Sequence, residues 1–306
     1  MQNQKALKQK IENISNVFEI NKVINLKTNK KYIQKYYKIN KIPYSLFHTK
    51  TDLMYMGVSR DGIYKEDDLL EAARTVEKYI KKLNGTAVLE LATGRGASSF
   101  HIAQKFPKVK FYGVDISKGQ LDFAYKKAKK INNYYPNFGD YHDLSQFENE
   151  TFDIVFVIEA LCYSINKYQV LTEVSRVLKK DGIFIIFDGY LNKNPKQLTS
   201  DEKIATQLAE KGMAMDKFET YESFKEKIKK TNFNIDFEEN ISQFTIPTMK
   251  RFEKKATLFF KHPHVAKIIS KFLPKAFIYN TISGYLSCTL MQMNTYHYMI
   301  TILKKE

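Results

Sequence analysis

The sequence predicts an α/β fold built on a doubly wound, mostly parallel sheet of seven strands. Between about residues 86 and 190, continuous apolar runs alternate with stretches in which apolar residues recur at helical spacing. Apolar strands separated by amphipathic helices are typical of a parallel sheet covered by helices on both faces. The β-branched and aromatic residues of "TYHYMITILKK" near the end of the chain indicate one more strand, which we expect to be antiparallel.

The individual elements follow from the same periodicities. Residues 65–85 carry apolar side chains at helical spacing and end at Gly85 after a lysine-rich turn, which predicts a helix. Beyond this helix, we expect strands at 86–91, 110–115, 151–160, 182–190 and 295–305, and helices at 97–105, 118–131 and 167–182. Residues 219–242 add one more helix and strand.

We expect two parts in the chain, an N-terminal lid segment over residues 1–83 and a core over residues 84–306. The lid is predicted to be helical, and it is rich in tyrosine between residues 31 and 60. Such a division places the strand–helix alternation entirely in the core.

Two stretches of the core, about 191–218 and 243–294, do not fit the alternation. Pro263 and Pro274 should break the second stretch into several helices with basic and apolar faces. Insertions between late strands of such sheets usually cover the site at the carboxyl ends of the strands. We therefore expect a helical cap, which would close over an apolar substrate, rest on an anionic membrane or form a subunit interface.

Composition narrows the class of protein. The formal net charge is +16, but only five of the 49 basic residues are arginine, and the lysines are spread along the chain. Nucleic-acid readers favour the planar fork of arginine, so we expect no nucleic-acid partner. Two cysteines and an N-terminus without an apolar leader favour a cytoplasmic protein. Contact with a membrane surface and a homo-oligomer stay open as alternatives.

The stretch "VLELATGRGASSF" predicts a strand, a glycine turn and the start of a helix. Gly94 and Gly96 allow a tight turn, and the amides of the following helix favour an anionic group. Asp115 ends the next strand, where an acid can accept hydrogen bonds from ribose hydroxyls. Glu90, four residues before Gly94, is a poor neighbour for a pyrophosphate and a good partner for an ammonium group. S-adenosylmethionine carries both a ribose and an amino-acid head, whereas a nicotinamide dinucleotide fits less well.

Four motifs in order resemble those of class I S-adenosylmethionine-dependent methyltransferases, which have a Rossmann-like fold. They are "VLELATGRGASSF", "FYGVDIS", "NFGDYHDLSQFENETFDIVFVIEALCYS" and "EVSRVLKKDGIFIIFDGY", and they span about residues 86–190. Ala92 replaces the first glycine that the family usually has. The resemblance implies that S-adenosylmethionine is the cofactor.

The resemblance also implies roles for individual residues. Glu90, Gly94 and Gly96 would hold the methionine part, and Asp115 the ribose. Asp140 and the backbone of Tyr141 would hold the adenine amino group, with Ile116 packed on the ring. The complete expected cofactor set is Tyr37, Glu90, Gly94, Gly96, Asp115, Ile116, Asp140, Tyr141 and Ile158. As alternatives, Ile116 would be an ordinary core residue and Asp140 a turn residue.

A narrower resemblance concerns the acceptor. "KYYKINKIPYSLF" and "LMYMG" are similar to the tyrosine-rich segment of sterol and tocopherol methyltransferases. This similarity implies that Tyr44 and Tyr55 contact the substrate. The tryptophans usual in that subfamily are absent, and Tyr55 stands where a histidine is common. The implied acceptor is a small, largely apolar metabolite of isoprenoid, quinone-like or polyketide-like type.

Three residues near strand ends are candidates for the chemistry of methyl transfer. Glu159 and Asp188 could accept a proton or stabilise a cation, and Tyr163 stands where related enzymes often have a basic histidine. The reference pKa of tyrosine, about 10, makes Tyr163 a weaker base than either carboxylate. If the acceptor is an alkene, the faces of Tyr37, Tyr44 and Tyr55 could also stabilise a carbocation.

We therefore predict a methyltransferase that acts on carbon or oxygen. An amine N-methyltransferase is the nearest alternative. A nicotinamide-dependent oxidoreductase and a non-catalytic binding protein are alternatives from other classes. No metal site is expected, because His262 and His264 have no evident third ligand.

Overall fold

The computed structural model describes residues 2–40 and 51–306. Its centre is one seven-stranded sheet with the order β3-β2-β1-β4-β5-β7-β6. The first five strands are parallel, and β7 runs antiparallel to both of its neighbours. The predicted fold class, with its reversed last strand, is confirmed. The strands are β1 Ala87–Leu91, β2 Lys110–Asp115, β3 Tyr134–Phe138, β4 Phe152–Ile158, β5 Leu178–Leu191, β6 Phe233–Asn240 and β7 Tyr296–Lys305.

Helices cover both faces of the sheet and extend beyond its carboxyl edge. In chain order they are α1 Gln2–Ser15, α2 Ile20–Ile24, α3 Lys30–Ile39, α4 Glu71–Leu83, α5 Ala97–Lys105, α6 Lys118–Ala128, α7 Lys167–Val177, α8 Ser200–Gly212, α9 Tyr221–Ile228, α10 Ser242–Phe260, α11 Pro263–Phe272, α12 Lys275–Ile278 and α13 Asn280–Gln292. Most predicted boundaries lie within a few residues of these.

Strand β3 is the element that apolar patterning did not locate. Its sequence, "YYPNF", contains Pro136, which cannot donate a hydrogen bond to a neighbouring strand. The strand lies at the edge of the sheet and pairs only with β2 among the described strands, so the proline can face outward. An edge position explains why the strand lacks the continuous apolar run of β1 or β4.

The late insertion forms a helical layer. Within residues 243–294, helix α10 ends before Pro263, α11 begins at that proline, and Pro274 precedes α12. Helix α13 packs between α10 and α8, with most of its apolar side chains buried. In the described ranges, 2–40 and 51–306, the search for a helix both long and apolar enough to cross a membrane found none.

The N-terminal helix is anchored to this layer by a buried lysine. The Lys10 ammonium donates to the Tyr285 carbonyl at 2.7 Å and to Thr289 Oγ1 at 2.7 Å, and it pairs with Glu253. Because a buried charge is costly unless it is paired, these bonds fix α1 against α10 and α13.

Candidate cofactor and acceptor site

A cavity of about 970 Å³ lies at the carboxyl ends of the parallel strands. One end is bordered by the turn after β1, the end of β2 and the loop after β3. The other end is bordered by α3, α10 and α13. Helix α10 contributes the apolar side chains of Met249 and Phe252, whereas α13 contributes small and polar residues such as Gly284 and Ser287. The cavity thus has buried carboxyls at the sheet and a more apolar end beside α10, and a mostly apolar wall with a few polar groups is common in small-molecule sites.

The turn after β1 contains three residues with positive φ, namely Ala92 at 52°, Gly94 at 55° and Gly96 at 69°. A Cβ on Gly94 would have nothing nearer than the Ala92 carbonyl oxygen, 3.9 Å away. Gly94 therefore leaves open space beside the cavity, as a close-approaching ligand requires. Ala92 keeps the left-handed conformation that the family's glycine would adopt, despite its Cβ.

Gly96 is packed against the side chain of a neighbouring strand. A Cβ on Gly96 would lie 2.3 Å from Tyr134 Oη, so this glycine makes room for a buried tyrosine of β3. Gly96 also does not border the cavity as Gly94 does. Its position at the start of α5 supports the turn, and the predicted contact with a cofactor stays a prediction.

Gly96→Ala should destabilise the protein by about 2–4 kcal/mol, because it adds both a steric clash and a strained backbone conformation. Unfolding in denaturant, followed by circular dichroism, measures the change. Gly119→Ala is the matched control, since a Cβ there meets nothing within 4 Å. Equal stability of the two variants would contradict the packing of Tyr134 against this turn.

Glu90 lies buried at the cavity wall near the end of β1, and is only 5% exposed. Its Oε2 accepts hydrogen bonds of 2.6 Å from the hydroxyls of Thr93 and Ser99. Burial raises the pKa of Glu90 to about 7, although these two bonds act in the opposite direction. A cationic ligand would recover the carboxylate form, so the site favours a positively charged group beside Glu90.

Asp115 ends β2 on the same side of the cavity. Its Oδ2 accepts from the Gly94 amide at 2.9 Å and its Oδ1 from the Ser117 amide at 2.7 Å. Burial raises the pKa of Asp115 to about 6 against these two bonds. Each carboxylate oxygen has a second lone pair, so Asp115 can orient the turn and still accept from a ligand hydroxyl.

Asp140, in the loop after β3, also borders the cavity. Its Oδ1 is 2.7 Å from His142 Nδ1, and its Oδ2 accepts from the Lys30 ammonium at 2.6 Å. The bonds from His142 and Lys30 hold the pKa of Asp140 well below its usual range, despite partial burial. Tyr141 donates from its hydroxyl to the Ala160 carbonyl, and its ring lies against that of His142.

Further hydrogen bonds hold helix α3 against this end of the cavity. Gln34 donates to the carbonyl of Ile116 at 2.9 Å, and Gln120 donates to the carbonyl of Tyr37 at 3.1 Å. Ile116, Tyr37 and Ile158 all border the cavity, as the predicted cofactor set requires. The Lys30–Asp140 ion pair adds a third link, so α3 and the sheet together enclose the polar end.

Glu159 follows β4 and borders the middle of the cavity. Its backbone has a φ of 48°, an uncommon conformation for a residue with a Cβ. Its Oε1 accepts from the Met56 amide at 2.6 Å and from the Tyr298 hydroxyl at 2.7 Å. Burial, with a smaller contribution from Asp188, raises the pKa of Glu159 to about 7. Such a carboxyl is suited to exchange a proton near neutral pH.

Asp188 is buried behind the cavity wall and does not itself border the cavity. Its side chain is 1% exposed, and its oxygens accept from the Cys162 amide at 2.9 Å and the Gly189 amide at 2.7 Å. Burial raises the pKa of Asp188 above its usual value. This geometry favours a positioning role, in which Asp188 fixes the segment around Leu161–Tyr163 that forms part of the cavity wall.

The remaining predicted side chains form walls of the cavity. The Tyr163 hydroxyl donates to the Met213 carbonyl at 2.9 Å, and its ring meets that of Tyr37 edge to face. Tyr55 also borders the cavity, with its hydroxyl 2.7 Å from Ser98 Oγ. Tyr44 lies outside the described residues.

Sequence reasoning missed several supporting residues. Ser99 appeared as an imperfect last position of the glycine pattern, but it is fully buried and bonds Glu90. Arg95, within the same turn, is buried and donates to Asp52 at 2.8 Å and to Gln120 at 3.1 Å. Two sequence signals were available for these residues. One is the serine at the last position of the glycine pattern, which is normally a small residue, and the other is the arginine between Gly94 and Gly96. The sequence around Tyr298 did not indicate a role in the site, because β7 comes close to Glu159 only when the sheet is assembled.

Comparisons with known proteins agree with the geometry. A cyclopropane synthase from Mycobacterium tuberculosis has a similar structure, with a TM-score of 0.71 and 17% identity over 92% of this chain and 100% of that one. A likeness at this identity shows a shared fold, that of class I methyltransferases. A family model described as a methyltransferase domain matches residues 82–242, which is more than half of the chain. The chain therefore belongs to the methyltransferase domain family.

Curated relatives match mainly this core. A sterol methyltransferase-like protein from Botryococcus braunii is 37% identical over 113 residues, 36% of this chain and 28% of that protein. A demethylmenaquinone methyltransferase from Thermotoga maritima is 32% identical over 126 residues, 41% of this chain and 53% of that protein. These matches span about half or less of the relatives' own length, and they confirm the resemblance on which the sequence prediction depends.

Proposed function

We propose that the protein transfers a methyl group from S-adenosylmethionine to carbon or oxygen of a small, largely apolar metabolite. The observation that carries this proposal is one cavity with two different ends. Glu90 and Asp115 are buried carboxyls at the polar end, and at the more apolar end Met249 and Phe252 of α10 lie with small and polar residues of α13. Glu159 borders the space between them.

The donor set at the polar end fits S-adenosylmethionine. Glu90 offers a buried carboxylate to the ammonium group, and Asp115 offers oxygens to the ribose hydroxyls. Gly94 provides the open space that the ligand needs beside the turn. A dinucleotide would instead bring a pyrophosphate close to Glu90, which opposes its charge. When bound, S-adenosylmethionine supplies a methyl group that a positive sulfur has already activated.

The residues of this chain then align the acceptor and manage its proton. Tyr37, Tyr55 and Tyr163 form the aromatic walls, and the cap limits the access of water to the cavity. The Glu159 carboxylate accepts the proton that an acceptor hydroxyl or carbon releases, or faces a cation that forms on an alkene. Asp188 acts indirectly, by holding the Cys162 backbone that shapes the wall.

An amine acceptor is the second candidate, because the buried Glu159 carboxyl would also attract a cationic nitrogen. Assays with methyl-labelled S-adenosylmethionine and separate prenyl, quinol and amine acceptors distinguish the two candidates by the product that gains the label.

A binding experiment tests the cofactor directly. Calorimetry should show binding of S-adenosylhomocysteine and none of NADH. Tight binding of NADH without binding of S-adenosylhomocysteine would reject the proposed function.

Binding of S-adenosylmethionine should release about one proton at pH 6.5, because Glu90 and Asp115 are partly protonated in the free protein and ionise beside a cation. Affinity should therefore rise as pH increases from about 5.5 to 8. Calorimetry in two buffers with different ionisation enthalpies measures the proton release. Glu90→Gln should remove most of the release, whereas Glu148→Gln on the surface should retain it. Binding that is independent of pH would contradict the assignment of these carboxyls.

A further inference from the structure

Helix α11 presents an apolar surface to solvent. Val265, Ile268, Ile269 and Phe272 are spaced at i, i+3, i+4 and i+7, so they lie on one face of the helix. Phe272 is 81% exposed and Ile268 is 59% exposed. We define the α11 patch as these four residues together with the exposed neighbours Leu258 and Leu273.

The helix is seated shallowly on the protein. Within the ten residues of α11, Ala266 alone is buried. An amphipathic helix of a globular protein normally turns its apolar stripe toward the core. Here the large apolar side chains point away from the protein while a single small one faces it. Contiguous exposed apolar surface of this kind marks an interaction site.

The chain segment that contains the patch carries positive charges and no acidic side chains. Between residues 254 and 305 the sequence contains no aspartate or glutamate. Six lysines lie within residues 254–275, and all of them are exposed: Lys254, Lys255, Lys261, Lys267, Lys271 and Lys275. Within this segment the lysines are therefore not offset by acidic residues of the same stretch of chain.

We propose that the α11 patch docks the protein onto an anionic lipid bilayer. Apolar side chains edged by lysines are the two components by which an interfacial helix binds such a surface, through burial of the apolar face and attraction of the lysines to anionic headgroups. A second copy of the chain is a poorer occupant, because two equally positive patches would repel one another. The apolar face also distinguishes this surface from a nucleic-acid site, which needs mainly charge.

The position of α11 in the chain between helices that border the cavity gives membrane docking a role in delivering the acceptor, and this role rests on the proposed function. Helices α10 and α12–α13, on either side of α11 in the chain, contribute Phe252, Lys255, Phe277 and Asn280 to the cavity wall. Docking through α11 would bring the apolar end of the site near the bilayer, where a lipophilic acceptor dissolves. Docking itself requires neither cofactor nor acceptor, so it can fail or succeed independently of catalysis.

Flotation of the full chain with lipid vesicles tests the proposal. We expect binding to vesicles of phosphatidylcholine with about 30% phosphatidylglycerol, little binding to phosphatidylcholine alone, and weaker binding at higher salt. Equal binding to both vesicle types, or no binding to either at low salt, would overturn the proposal.

Paired variants assign binding to the patch. The double variant Ile268→Ser/Phe272→Ser should lose most vesicle binding, and Lys267→Gln/Lys271→Gln should lose on the order of tenfold or more. Ile235→Ser/Phe237→Ser on strand β6 and Lys126→Gln/Lys129→Gln at the C-terminal end of α6 remove exposed groups of the same types as controls.

Retained vesicle binding by both patch variants would overturn the assignment. If the protein does not bind vesicles but forms a dimer that Ile268→Ser/Phe272→Ser abolishes, a second copy of the chain covers the patch. Thermal melting confirms that each variant is folded, and S-adenosylhomocysteine binding tests the cofactor site separately.

Discussion

Glu159→Gln is expected to lower kcat by about 10²–10⁴-fold while leaving the affinity for S-adenosylhomocysteine nearly unchanged. Glutamine keeps the shape and the acceptor oxygen for the Met56 amide and the Tyr298 hydroxyl, but it cannot accept a proton or stabilise a cation. Initial rates with labelled S-adenosylmethionine measure the loss, once an acceptor is found. Undiminished turnover would remove Glu159 from the proposed chemistry.

The pH dependence separates this role from a structural one. The carboxylate is the active form, and burial raises the pKa of Glu159 to about 7, so the rate should increase with pH through about 7. Tyr298→Phe removes a hydrogen bond that lowers this pKa, and it should move the rise to higher pH without abolishing activity at alkaline pH. Tyr221→Phe, another buried tyrosine on a different face of the sheet core, is the matched control. An unshifted profile in Tyr298→Phe would contradict the coupling.

Asp115→Ala should weaken binding of S-adenosylhomocysteine by about 1–3 kcal/mol, or roughly 5- to 150-fold. The substitution removes the proposed ribose acceptor, and it also removes the bonds that Asp115 accepts from the Gly94 and Ser117 amides. Calorimetry measures the affinity directly.

Two further variants make the Asp115 result specific. Asp115→Asn retains acceptor capacity at one oxygen and should lose less affinity than Asp115→Ala. Asp122→Ala, an exposed acid on α6, should bind like the unaltered protein. Unchanged affinity in Asp115→Ala would reject the ribose assignment, and equal losses in Asp115→Ala and Asp122→Ala would point to a general charge effect.

Local pattern was sufficient for most of the sheet. Local preference and tertiary structure coincide in most of these elements. Strands β1, β4 and β5 have apolar runs and are buried in the sheet, and helices α4 and α7 have the amphipathic spacing of helices that cover a sheet. Strand β3 was not located, because an edge strand with a proline lacks the buried pattern of a central strand. Its existence depends on pairing with β2, which is a long-range interaction.

The clustering of the candidate cofactor residues at one end of the cavity was predictable for the same reason. Glu90, Gly94 and Asp115 lie at the ends of two adjacent parallel strands, and β1 pairs directly with β2. Strand ends that are predicted in sequence must meet at one edge of a parallel sheet. The spacing of a few residues therefore specified a three-dimensional arrangement.

The acceptor side depended on tertiary structure. Glu159 and Asp188 are both acids near the ends of adjacent strands, and the sequence offered no means to separate them. In the structure, backbone amides engage Asp188 in the interior, while Glu159 borders the cavity with a hydroxyl from β7 beside it. The packing of Tyr134 against Gly96 likewise depends on tertiary structure, because the two residues belong to different elements of the fold.

The sequence by itself thus determined the sheet, the family and the polar end of the cavity, because these features depend on short-range pattern and on strand ends that must converge. Only the tertiary structure decided which buried acid borders the cavity and which side of α11 meets solvent. Those outcomes depend on contacts between residues more than a hundred positions apart, such as Glu159 with Tyr298, which no local pattern records.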